Sequence, residues 1–201
     1  MEVSGLEEGE TIGFRDLLKV TVRDATGREV GHVQDMALEA DLGGKPFVEY
    51  LGVHLLWTDR VGEIELVRRA EDLALLIPWS DVTSASEEVV TLKSAHPDFP
   101  VQTAAGRWLI RKDILDKQMV DPSGSRIHRV DDVVLVVEGG RLKVAGLEVS
   151  KGLLLTSSAL RRYLAEIRRK HASRSESEVI PWEAVQEITP DAVVIGEEVP
   201  H

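Results

Sequence analysis

Apolar residues alternate with polar ones after a turn, and the chain does this twice. After Asp24-Ala25-Thr26-Gly27 the apolar positions are Val30, Val33, then Met36 and Leu38; after Asp121-Pro122-Ser123-Gly124 they are Ile127, Val130, then Val133 and Leu135. In each turn the aspartate can close an Asx-type turn and the glycine can take positive φ, so both segments predict hairpins. The alternation changes phase between Val33 and Met36, which predicts a bend or bulge where a strand curves. Short strands separated by turns at intervals of roughly 8 to 12 residues predict closed or nearly closed all-β units.

The duplication runs through the chain. At an offset of 97 residues Leu18 matches Leu115, Asp24 matches Asp121, Gly27 matches Gly124, Asp35 matches Asp132 and Leu38 matches Leu135. Further on, Ile77-Pro78-Trp79 returns as Ile180-Pro181-Trp182, and Leu51-Gly52-Val53 resembles Ala145-Gly146-Leu147. Proline removes a donor and extends the residue before it, which suits an edge strand or the entry to a short helical turn. Trp79 and Trp182 read as core plugs, with ligand stacking the alternative. Strands over Val89 to Leu92 and Ala192 to Ile195 close each unit.

The second unit carries an insertion. Leu160, Tyr163, Leu164 and Ile167 recur at helical spacing after Ser157-Ser158, which predicts an amphipathic helix over about 158–171. Arg161, Arg162, Arg168 and Arg169 flank the stripe, and Lys170 stands in the last turn, where a cation favours the helix dipole. The stripe either packs on its own unit or meets an acidic protein or an anionic membrane surface. The resulting organisation is an N-terminal tail (1–13), a first unit (14–95), a linker (96–106), a second unit (107–196) and a C-terminal tail (197–201).

Composition changes this picture little, but charge refines it. The 201 residues are 43% hydrophobic, enough for one domain or two small ones, with a net charge of −11. Residues 1–103 hold nine basic and 20 acidic groups, whereas residues 104–201 hold 15 of each, so the excess lies in the first half. Within residues 107–174 the balance turns basic, 15 against eight. That stretch reads either as solvated faces or as a docking surface. The overall field disfavours nucleic acid, whose binding needs several cations on phosphates.

The longest apolar runs, Leu73–Ile77 and Val133–Val137, are far below the roughly 18–20 residues of a membrane helix. Residues 1–10 are acidic and do not read as a signal peptide. Without cysteine there are no disulfides, thiolate zinc sites or thiol nucleophiles, in keeping with a cytoplasmic protein. The six histidines form no metal-ligand spacing, Gly43-Gly44 lacks a phosphate-loop pattern, and Ser157-Ser158 stands apart from any nucleophile elbow. The expectation is a protein that is not an enzyme, with no catalytic residues, no cofactor and no metal site.

The repeats resemble the PRC-barrel domain, the module of the photosynthetic reaction centre H subunit and of the ribosome maturation factor RimM. The residues that carry the resemblance are the Asp-x-x-Gly turns (Asp24, Gly27; Asp121, Gly124), Asp35 and Asp132 in their Val-x-Asp-apolar runs, and the Pro-Trp pairs Pro78-Trp79 and Pro181-Trp182. Arg111 to Asp121 followed by Arg129 to Val133 is similar to the barrel region of some MgtE-type magnesium transporters. The resemblance covers about Phe14 to Ile195 and implies a mainly β chain of two tandem small PRC-type β-barrels, with one inserted amphipathic helix in the second.

By that resemblance the chain is a non-enzymatic adaptor or regulatory protein. It would bind a protein partner, with peripheral association to a membrane transporter or membrane complex from the cytosolic side. Arg161, Arg162, Arg168, Arg169 and Lys170 would be the contact. The alternatives are a RimM-like ribosome assembly factor and a small-molecule or divalent-ion sensor using the seam between the units. Exposed sheet edges leave strand swapping or a symmetric homodimer open.

Overall fold

In a computed structural model, residues 5–39, 44–55, 75–95, 106–150 and 177–196 are described. The helix expected over 158–171 and residues 96–105 of the linker lie outside them. The first unit contains β1 (Thr11–Gly13), a single helical turn α1 (Phe14–Leu17), β2 (Thr21–Arg23), β3 (Glu29–Glu39), β4 (Val48–Leu55), β5 (Leu75–Pro78), a 3-10 turn (Trp79–Asp81), β6 (Val82–Ala85) and β7 (Val89–Leu92). The second contains β8 (Arg107–Leu109), a π-type turn (Ile110–Ile114), β9 (Gln118–Val120), β10 (Arg126–Arg129), β11 (Asp132–Glu138), β12 (Arg141–Ser150), β13 (Ser177–Pro181), a 3-10 turn (Trp182–Ala184), β14 (Val185–Ile188) and β15 (Ala192–Ile195).

The two hairpin turns are built alike. Asp24 Oδ1 accepts from Thr26 N at 2.8 Å, Thr26 Oγ1 at 2.6 Å and Arg28 N at 3.1 Å; Asp121 Oδ1 accepts from Ser123 N at 2.9 Å, Ser123 Oγ at 2.6 Å and Ser125 N at 2.9 Å. The hydroxyls of Thr26 and Ser123 are the chief reason both carboxyls lie below the usual carboxylate range. Gly27 and Gly124 share φ = 83°, a conformation that a side chain would strain. The duplication even extends to two non-glycine residues at positive φ, Lys19 (66°) and Asp116 (64°), which are 97 positions apart. Their backbone N–H groups donate to Val33 and Val130 respectively.

Sheet order repeats too. The first unit runs β5-β4-β3-β2-β7-β6, and the second runs β13-β12-β11 and β10-β9-β15-β14. Here β3 corresponds to β10 plus β11: the bend expected between Val33 and Met36 is a register shift at Val33/Asp35 in one unit and a break between strands in the other. The structure is mainly β as expected. Among the described residues, however, the strand pairings leave every sheet open, and none closes into a barrel.

One alignment needs correction. Tyr50 and Leu51 pair with Pro78 and Ile77, while Gly146 and Leu147 pair with Pro181 and Ile180. The equivalent of Leu51 is therefore Leu147, at an offset of 96, and Gly52 stands opposite Asp35 where Glu148 stands opposite Asp132. The glycine match pointed to the wrong register because backbone pairing, not residue identity, sets it.

The first strand of each unit is exchanged. β1, counted above with the N-terminal tail, pairs antiparallel with β11 of the second unit through Thr11↔Val136, Ile12↔Leu135 and Gly13↔Val134. Reciprocally, β8 pairs antiparallel with β3 of the first unit through Ala37↔Leu109, Leu38↔Trp108 and Glu39↔Arg107. The two registers differ by one residue. The turns that follow absorb the difference: α1 closes with Leu18 N donating to Phe14 O, whereas the π-type turn closes with Leu115 N donating to Ile110 O, one residue wider. A single apolar cluster then runs through both units, with Phe14, Leu17, Ile110, Ile114, Leu135 and Trp182 at its heart. Each such side chain contributes about 1.5–3 kcal/mol by leaving water.

Candidate interaction seam

Exchange places Asp35 and Asp132 at the seam, just after the bend in each long strand. Both are buried, at 5% and 8% exposure. Asp35 Oδ1 accepts from its own neighbour Met36 N at 2.8 Å and from Arg111 N, in the other unit's turn, at 2.8 Å. Asp132 Oδ1 mirrors this, accepting from Val133 N at 2.8 Å and from Arg15 N at 3.1 Å. Each carboxylate thus satisfies an otherwise orphaned N–H at the start of the opposite unit's turn. Burial pushes the Asp35 carboxyl up to about 6 against the pull of the backbone N–H donors, with the charge of Asp113 adding to the rise. Burial likewise raises Asp132, with Glu148 and Asp16 adding to the effect.

Gly13 is required by the same contact. A Cβ there would stand 2.5 Å from Asp132 Oδ2 and 2.9 Å from Asp16 Oδ2, closer than any side chain tolerates. Around this centre Arg15 reaches across, its Nε donating to Asp131 O at 2.6 Å and its Nη2 to Asp116 Oδ1 at 3.0 Å.

A second line of contacts crosses the seam where the two copies of one position meet. Phe47 bridges to Lys143, its equivalent at an offset of 96, and Val144 N donates to Pro46 O at 2.9 Å. The Phe47 ring carries the Arg141 guanidinium at 4.2 Å and the Lys143 ammonium at 5.2 Å. Lys45 pairs with Glu183 at 3.0 Å, and the Trp108 and Trp182 rings meet at 6.2 Å between centroids. An open cleft of about 370 Å³ lies between the first unit and the β11–β12 hairpin of the second, with Tyr50, Trp79, Lys93 and Arg141 among its walls.

The sequence-predicted residues fall into four groups. Asp24, Gly27, Asp121 and Gly124 form the hairpin turns, away from the seam. Pro78 and Pro181 end β5 and β13, and Trp79 and Trp182 follow them, buried at 4% and 1% exposure, each with an indole N–H that has no acceptor among the described residues. Asp35 and Asp132 are brought to the seam, where Trp182 also meets Trp108 and Trp79 lines the cleft. Arg161, Arg162, Arg168, Arg169 and Lys170 lie outside the described residues.

Sequence reasoning singled out the two aspartates but not their partners. Those partners are backbone N–H groups, which leave no residue signature. Arg15, Phe47 and Arg141 were missed altogether, although an aromatic residue and a cation at equivalent positions, Phe47 and Lys143, were visible once the offset of 96 is used.

No group of three or more His, Asp or Glu residues that could hold a metal ion occurs among the described residues, and none of their helices is long and apolar enough to cross a membrane. No protein-family model matches the chain, and no curated protein matches it.

Proposed function

We propose that the chain is a tandem PRC-barrel-like adaptor or regulatory protein, non-enzymatic and cytoplasmic, that works through protein–protein contacts. In this reading each set of strands is an opened version of one PRC-type barrel, and the partner is a membrane transporter or membrane complex met from its cytosolic side. Nucleic acid is not the partner, because the net charge of −11 opposes it.

The observation that supports the reading is the interlocked platform and what it displays. Ser150 and Ser177 face each other in the β12–β13 ladder, so the 26 residues between them, with the basic run Arg161 to Lys170, leave and return at one point on a braced hairpin. A basic segment joined at both ends to this ladder suits recognition of an acidic surface.

The test is affinity capture of the tagged protein from its native lysate at low and moderate salt, beside a variant with Arg161, Arg162, Arg168 and Arg169 changed to Gln. Recovery of a membrane complex that the variant loses is the expected result. Equal recovery by both proteins removes the basic segment as the contact. Co-sedimentation with small ribosomal subunits would replace this reading with that of an assembly factor.

A further inference from the structure

The two units differ at one pair of equivalent places, and the difference has a chemical content. Lys45 and Glu183 form an ion pair at 3.0 Å across the seam. Their equivalents, at offsets of 96 and 103, are Arg141 and Ser80. So in the mate of that ion pair the cation is kept and the carboxylate is gone. A second change works in the same direction. Lys93 occupies the place of Gly196, as the matching bonds Lys93 N to Asp81 O and Gly196 N to Ala184 O show.

Ser80, Lys93 and Arg141 all line the cleft of about 370 Å³, together with Tyr50, Pro78 and Trp79. Its one carboxylate, Glu49, is engaged by Arg107 at 2.7 Å. Lys93 makes its hydrogen bond to the Ser80 carbonyl, which carries no full charge, and Arg141 lies over Phe47. Neither cation has a carboxylate partner among the described residues. The site therefore joins two cations that have no carboxylate partner among the described residues, one from each unit, to apolar and aromatic walls. Stacking on Phe47 fixes the Arg141 guanidinium, whose planar fork suits a carboxylate.

We propose that this cleft binds a small organic monocarboxylate with an apolar or aromatic body. The ligand's carboxylate takes the place that Glu183 fills in the mate, facing Arg141 and Lys93, and its body packs on Tyr50, Pro78 and Trp79. A carboxylate is favoured over a phosphate dianion because the mate fills this place with a carboxylate, because Lys93 already donates to the Ser80 carbonyl, and because Glu49 remains in the cleft wall. This inference stands apart from the adaptor reading, since it uses neither the basic segment nor a protein partner.

The test is a titration of the full chain with phenylacetate followed by amide and indole NMR shifts, with inorganic phosphate and benzylamine as comparison probes. Saturable shifts confined to the surroundings of Ser80, Lys93 and Arg141 are expected, with phosphate at least tenfold weaker and benzylamine silent. Ser80→Glu supplies the missing carboxylate from the protein itself and should weaken phenylacetate at least tenfold while leaving the melting temperature unchanged or raised. Lys93→Gln, at an exposed position, should weaken it several-fold without touching the fold. Absence of saturable shifts, equal binding of phosphate, or undiminished binding by a folded Ser80→Glu protein would each overturn the proposal.

Discussion

The two units share strand order, turn geometry and buried aspartates, yet they differ in the turn that receives the exchanged strand. In the first, α1 is a four-residue α-turn whose Arg15 N–H is held by Asp132; in the second, a five-residue π-type turn presents Arg111 N–H to Asp35. The sequence offset of 97 is restored at Leu18 and Leu115, so the extra residue is confined to the turn. The comparison teaches that the carboxylate clasp, not the turn's own geometry, is what the duplication preserves. A π-type turn has poorer hydrogen-bond geometry than an α-turn. A buried acceptor that fixes the Arg111 N–H near its start compensates for that.

The largest way to break the symmetry is to remove both clasps. Asp35→Ala with Asp132→Ala removes the acceptor of the buried Met36 and Val133 N–H groups and of the part-buried Arg111 and Arg15 N–H groups, at up to about 1–3 kcal/mol each before relaxation. A loss of about 4–8 kcal/mol in urea denaturation is expected, comparable to the whole stability of a small domain. Each single variant should lose about half as much, and near-additive losses would show that the two clasps act independently.

The next effect separates the clasps by pH. Asp35 is held near 6 when folded, against an ordinary value of 3.8. The folded state therefore binds the extra proton between those values, and the stability linked to Asp35 is fully present below about pH 4 and is lost as the pH rises through 6. The loss at neutral pH is about 3 kcal/mol. Asp35→Asn keeps the Oδ1 acceptor for Met36 and Arg111 and cannot ionise, so the difference in stability between variant and parent should grow from pH 4 to pH 7 in the variant's favour. A constant difference would show that Asp35 ionises at its ordinary value.

Smaller effects sharpen the picture around Asp132. Gly13→Ala forces a Cβ against its carboxylate and should cost about 1–3 kcal/mol, whereas alanine at position 109, the matching place in the other unit, trims an existing buried leucine and creates a cavity instead. Arg15→Ala removes only half-exposed polar contacts and should cost less than about 1 kcal/mol.

Much of the architecture was legible because it rests on local chemistry. The Asx turns at Asp24 and Asp121, the glycines after them, the bend after Val33 and the buried tryptophans behind Pro78 and Pro181 all follow from residue type and spacing. The exchange of β1 and β8 was not legible. Both are three-residue strands, too short for alternation to assign a face or a partner, and Ile12 or Leu109 would serve equally well on either unit's sheet. Closed barrels were expected from the strand spacing, but spacing carries no information about whether the last strand meets the first. The seam cleft was invisible for a different reason. Its cations come from separate units, and the change from Glu183 to Ser80 has meaning only after structural alignment shows that they are equivalent.

The central claim is that the exchanged strands and crossed aspartates weld two repeats into one cooperative body. Differential scanning calorimetry of the full chain tests it most directly. One transition is predicted, with calorimetric and van't Hoff enthalpies equal, because neither unit can lose its sheet without releasing a strand and a clasp of the other. Two resolved transitions, or a calorimetric enthalpy about twice the van't Hoff value, would contradict it by showing that the repeats unfold separately.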